Sequence, residues 1–70
     1  MYQRFDYLAD SDNLVETYQT KEDVIADATR FYHEQLNLDE DYNENFEVKT
    51  YEQALDFWQA NGYSISELVA

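Results

Sequence analysis

The sequence predicts a small α+β domain in the order β-β-α-β-α, a three-stranded sheet with two helices packed on one face. Three observations predict it. Residues 2–20 hold two aromatic and β-branched runs around a polar turn, Thr20 and Thr50 each open an amphipathic helical run, and Asn61-Gly62 supplies a stop. All 70 residues are read as one domain, and a chain of this size buries only about 60% of its unfolded surface.

The first strand is expected at Tyr2 to Leu8, with Phe5 and Tyr7 on one face. "DSDN" at 10–13 is a cluster of turn formers, and "LVETYQT" from Leu14 completes a hairpin. Thr20 with Asp23 three residues on approximates a capping box, Asp standing in for Glu or Gln. Behind it Val24, Ile25, Ala28, Phe31, Tyr32, Gln35 and Leu36 fall on one broad stripe, so the spacing predicts a helix over 21–36. Asp23, Asp27, Arg30 and Glu34 lie on the opposite side of that helix.

"NFEVKT" at 45–50 alternates Phe46, Val48 and Thr50 against Glu47 and Lys49, the pattern of a third strand. Thr50 then caps a second helix over 51–61, with Tyr51, Ala54, Leu55, Phe57 and Trp58 inward. Gly62 takes the left-handed conformation that ends helices. "SISE" at 64–67 has the spacing of another cap, so the last residues read equally as a helical turn or an extended tail. Two Thr-capped helices hint at duplication, but the side chains beyond the caps do not align.

Charge is the dominant global property. Net charge is −12, from 16 acidic residues against Arg4, Lys21, Arg30 and Lys49. Leu, Ile, Val and Phe sit just above the roughly 20% below which disorder is the default. Seven Tyr, the single Trp and the absence of Pro favour a folded chain. Such a chain repels phosphates, so direct binding to DNA, RNA or anionic lipid is not expected. A basic protein, in particular one that normally holds nucleic acid, suits it better.

Cysteine is absent, which removes thiolate chemistry and disulfides. The first ten residues carry no hydrophobic signal core, and no apolar run approaches the roughly 20 residues of a membrane span. A cytoplasmic protein, monomeric or weakly dimeric, is expected.

The most crowded acidic stretch is "DEDYNENFEVKTYE", residues 39–52. Started at Asp41, it places Asp41, Asn43, Asn45 and Glu52 at four ligand positions of a calcium loop. Phe46 then stands where glycine is required, and Lys49 puts a cation at another position. This leaves a weak divalent-metal alternative on those four residues, and the connection proper is 37–45.

Catalysis has little to stand on. His33 is the only histidine and lies off the apolar stripe, so an exposed position is expected. No second His, no Cys and no glycine-rich phosphate loop accompany it, so neither an enzyme nor a cofactor is expected. A faint helix-turn-helix likeness at 54–70 contains no Lys or Arg to meet DNA.

The acidic surface is the better lead. Asp23 with Asp27, and Glu52 with Asp56, are like charges at i, i+4, each pair costing about 0.2–0.5 kcal/mol where a lysine would help. First-turn acids favour the helix dipole, which does not cover Asp27 or Asp56. The candidate partner surface is therefore Asp23, Asp27, Glu34, Asp39, Glu40, Asp41, Glu44, Glu52 and Asp56. In composition alone the chain resembles small acidic inhibitors of phages and mobile elements, which implies a nucleic-acid mimic blocking a basic protein. The alternatives are a metal-responsive module on 39–52 and an acidic domain with a purely structural or interaction role.

Overall fold

The structure, a computed structural model, describes residues 1–8 and 13–68. It is an α+β domain with strands β1 (Tyr2–Asp6), β2 (Asn13–Tyr18) and β3 (Tyr63–Glu67) and helices α1 (Lys21–Gln35) and α2 (Tyr51–Ala60). The sheet has the order β2-β1-β3, with β1 antiparallel to both neighbours. The class, the strand number and both helices agree with the sequence. The order does not, because the chain runs β-β-α-α-β.

The third strand is the correction. Segment 46–50 forms no strand and joins no ladder; several of its backbone groups bond side chains instead. Val48 N donates to Thr29 Oγ1 at 2.9 Å, Lys49 N to Gln53 Oε1 at 3.0 Å, and Phe46 O accepts from the His33 ring at 2.8 Å. The strand comes from "YSISE" after α2. Gly62, at φ +89°, reverses the chain there, and β3 pairs Tyr63 to Glu67 with Asp6 to Tyr2. Main-chain bonds from Tyr7 N to Gly62 O (3.2 Å) and Leu68 N to Met1 O (2.8 Å) extend that pairing at both ends. Of the two segments with strand-like alternation, the one that a glycine turn delivers antiparallel to β1 forms the sheet edge.

The face of β1 that carries Phe5 and Tyr7 is not the one that enters the core. Tyr2 and Arg4 are buried, while Phe5 is half-buried and Tyr7 exposed. A strand's side chains alternate, so a shift of one residue exchanges its two faces. Pairing with β2 then slips between Arg4 and Phe5, where Phe5 meets Leu14 and Val15 bulges. The turn expected at 10–13 lies mostly outside the described residues.

Both helices start as read. Thr20 Oγ1 accepts from Asp23 N at 3.2 Å, and Thr50 with Gln53 forms a full capping box before α2. The core unites sheet and helices in one cluster of Tyr2, Tyr18, Val24, Ala28, Val48, Ala54 and Trp58. Trp58 is its largest fully buried side chain, with Phe31, Phe57 and Tyr63 edge-on around it at 5.1–5.5 Å.

Candidate protein-binding surface

The surface is best understood from what the core does with its charges. Arg4 is buried at 8% exposure, and its Nη1 lies 3.4 Å from Asp27 Oδ2. Its guanidinium sits 4.2 Å from the Trp58 ring centroid and 4.7 Å from that of Tyr63. Burying a cation costs several kcal/mol unless it is paired. Here a carboxylate and two aromatic faces offset that cost, each cation–π contact being worth about 0.5–2 kcal/mol. Arg4 Nε has no hydrogen-bond partner among the described residues, and the aromatic walls take its place.

Asp27 is the second correction. It is buried at 9% exposure and does not belong to an exposed acidic row. Its carboxylate accepts from Arg4, the Tyr18 hydroxyl and Arg30. The Tyr18 pKa is pushed above the usual tyrosine range, first by burial and then by its hydrogen bond to Asp27. Arg30 is held above its ordinary value, first by its bond to Asp27 and then by the charges of Asp27 and Glu34. Asp27 follows the buried Val24 by three residues and precedes Ala28, at the margin of the inward stripe, and Arg4 pulls it in.

The basic residues are thus largely engaged within the chain. Arg4 is in the core, Arg30 joins Asp27 and Glu34 (2.8 Å), and the Lys21 ammonium lies 5.1 Å from the Tyr51 ring. Of the acidic residues described, all but Asp6 and Asp27 are exposed. Asp23, Glu34, Asp39, Glu40, Asp41, Glu44, Glu52 and Asp56 all face outward, as read from the sequence. Glu52 and Asp56 are one turn apart on the outer side of α2, while Asp23 loses its intended neighbour.

The acidic connection is anchored rather than merely solvated. Consecutive turns run through it, with Asp39 N bonding Leu36 O, Tyr42 N bonding Asp39 O and Phe46 N bonding Asn43 O. Tyr32 stacks on both Tyr42 and Phe46, with centroids 5.3 and 3.9 Å apart. The Tyr32 hydroxyl accepts from Asn43 N at 2.7 Å. His33, expected exposed, is half-buried between Tyr42 Oη (2.6 Å) and Phe46 O (2.8 Å). A carbonyl only accepts, so Nε2 carries a proton, and in the neutral ring Nδ1 accepts from the Tyr42 hydroxyl.

The four residues of the calcium-loop alternative are dispersed among other tasks. Asn43 Oδ1 accepts from Asn45 N at 3.0 Å, an Asx turn, and Glu52 is in the first turn of α2. Among the described residues no three His, Asp or Glu side chains converge as a metal site would require.

Where the connection meets α2, Phe46, Glu47, Val48, Gln53, Asp56 and Phe57 line a surface groove of about 440 Å³. Phe46 and Phe57 form its apolar floor, with centroids 5.9 Å apart, and the exposed Glu47 and Asp56 also line it. The alternation of Phe46 and Val48 was legible, but their facing Phe57 across a groove was not. Among the described residues no helix is long and apolar enough to cross a membrane. No protein-family model, curated protein or solved structure matches the chain.

Proposed function

We propose that the chain is a non-enzymatic, acidic protein-binding module that docks on a basic protein, in its most specific form one that otherwise holds nucleic acid. The observation that carries this reading is the segregation of charge. Both arginines pair with carboxylates of the fold, whereas the carboxylates of the connection and the outer side of α2 face outward. Fixed negative charge on an ordered support attracts a basic surface from beyond contact distance and speeds encounter. The anchoring of residues 42–48 by Tyr32, His33 and Thr29 supplies that support. Glu52 and Asp56, about 6 Å apart along the helix axis, place two like charges on one exposed side of α2. A cytoplasmic setting and a monomer or weak homodimer suit the charge, since a second copy is repelled.

The test is a pull-down from lysate at low and high salt with DNA as competitor. Basic nucleic-acid-binding proteins should be retained at low salt and released both by salt and by DNA. Retention indifferent to salt and DNA would overturn the reading.

A further inference from the structure

The groove beside α2 has a composition that an acidic surface alone does not explain. We propose that it receives an arginine side chain from the basic partner, with the aliphatic stem and guanidinium plane against Phe46 and Phe57 and the charge on Glu47 and Asp56. This rests on the reading of the chain as an acidic docking module and names the residue type it grips.

Charge and shape both select the occupant. The groove pairs an apolar floor of Phe46, Val48 and Phe57 with two exposed carboxylates, and no cation is among its lining residues, the exposed Lys49 following Val48 in the chain. A purely apolar side chain would leave both carboxylates beside a dry surface. A compact cation would use the carboxylates and little of the rings. Arginine uses both, because its planar guanidinium stacks on aromatic faces and forks onto carboxylates, while its stem lies along apolar surface. Phe46 has Tyr32 stacked on it at 3.9 Å, and Val48 is pinned through Thr29 at 2.9 Å. The floor is therefore preformed. The fold already employs the same combination internally, where Arg4 lies over Trp58 and Tyr63 and pairs with Asp27. A second copy of the chain is a poor occupant, because Arg4 is buried and Arg30 is committed to Asp27 and Glu34.

An arginine oligopeptide titrated into the protein at low salt, followed by amide NMR, tests the assignment. The amides of 46–48 and 53–57 should move most, and a lysine oligopeptide of equal length should bind several-fold more weakly. Glu47→Gln with Asp56→Asn should weaken the arginine peptide about tenfold, the expected loss of two partly exposed ion pairs. With both double variants compared at about 0.15 M salt, where the screening length falls to about 8 Å, Glu22→Gln with Glu67→Gln removes the same charge elsewhere and should change affinity by no more than about twofold. Circular dichroism checks that both variants remain folded. Equal losses in the two variants, or shifts centred elsewhere, would overturn the groove while leaving the acidic docking module standing. Equal affinity for the lysine peptide would overturn the choice of arginine. No binding of either peptide at low salt would overturn both readings.

Discussion

Arg4 on the central strand and Asp27 on the first helix form a buried ion pair, 3.4 Å apart, at side-chain exposures of 9% and 10%. Removing one partner leaves the other charged and desolvated. Asp27→Asn should therefore destabilise the domain by about 3–5 kcal/mol. That is a large share of the roughly 4–10 kcal/mol expected for a chain of this size. Arg4→Met combined with Asp27→Leu removes both charges and should recover much of the loss. Urea unfolding followed by circular dichroism measures both variants.

Tyr18 gives the fold an alkaline limit. Its folded pKa is raised by burial and by its bond to Asp27, so the native state keeps the proton to higher pH than the unfolded chain does. The stability this contributes is fully present below about pH 10, the ordinary tyrosine value, and is lost as pH climbs towards the folded value. Tyr51, raised chiefly by desolvation, acts in the same direction. Tm should be insensitive to these tyrosines near neutrality and fall above pH 10. Tyr18→Phe should be less stable at pH 7 by about 1–3 kcal/mol, because Asp27 loses a donor, and should decline less steeply with alkali.

Net charge of −12 opposes the folded state through self-repulsion. Raising salt shortens the screening length to about 10 Å at 0.1 M and further beyond that. Tm should rise with salt, by about 4–8 °C for each kcal/mol of repulsion removed. Asp39→Asn with Asp41→Asn, in the exposed connection, should blunt that dependence in thermal melts without lowering Tm.

Gly62 holds the turn that delivers β3, at φ +89°. Gly62→Ala should cost about 1–2 kcal/mol, the strain of placing a Cβ in the left-handed region. The added Cβ would also meet the Leu8 side chain, but Leu8 is exposed and can move aside. Leu8→Ala should consequently fail to rescue Gly62→Ala in chemical denaturation, which separates backbone strain from crowding.

His33 ties the acidic connection to α1 through Tyr42 and Phe46. His33→Ala should lower stability by about 1 kcal/mol for the lost hydrogen bonds. Its signature is local: amide exchange should accelerate across 42–48 while Ala54 and Trp58, in the core of α2, keep their protection. Uniform acceleration through α2 as well would show that the anchor holds the whole fold.

The helices were legible because their signals are local. Thr20, Thr50, the spacing of Val24, Ala28, Ala54 and Trp58, and Gly62 lie within a few residues of the structure they specify. Strands carry only half their specification. Phe46-Val48 and Tyr63-Ile65 alternate equally well, and the choice between them depended on which could pair with β1. The same limit applies to charge. Arg4 entered only as one of four cations and Asp27 looked like one more surface acid, and the aromatic shell that makes them a pair comes from elements 20 to 60 residues away in sequence. His33 looked exposed because its partners, Tyr42 and Phe46, follow a loop whose path periodicity does not encode.

By itself, then, the sequence determined the α+β class, both capped helices and a strongly acidic exterior, all of which follow from near-neighbour spacing and composition. Tertiary structure alone decided which segment became the third strand, which face of β1 turned inward, that Asp27 and Arg4 are buried together, and that Phe46 and Phe57 meet in a groove that Glu47 and Asp56 also line. The reason is physical. Sheet pairing, ion-pair burial and grooves are properties of surfaces brought together from distant segments, and their free energies exist only after those segments meet.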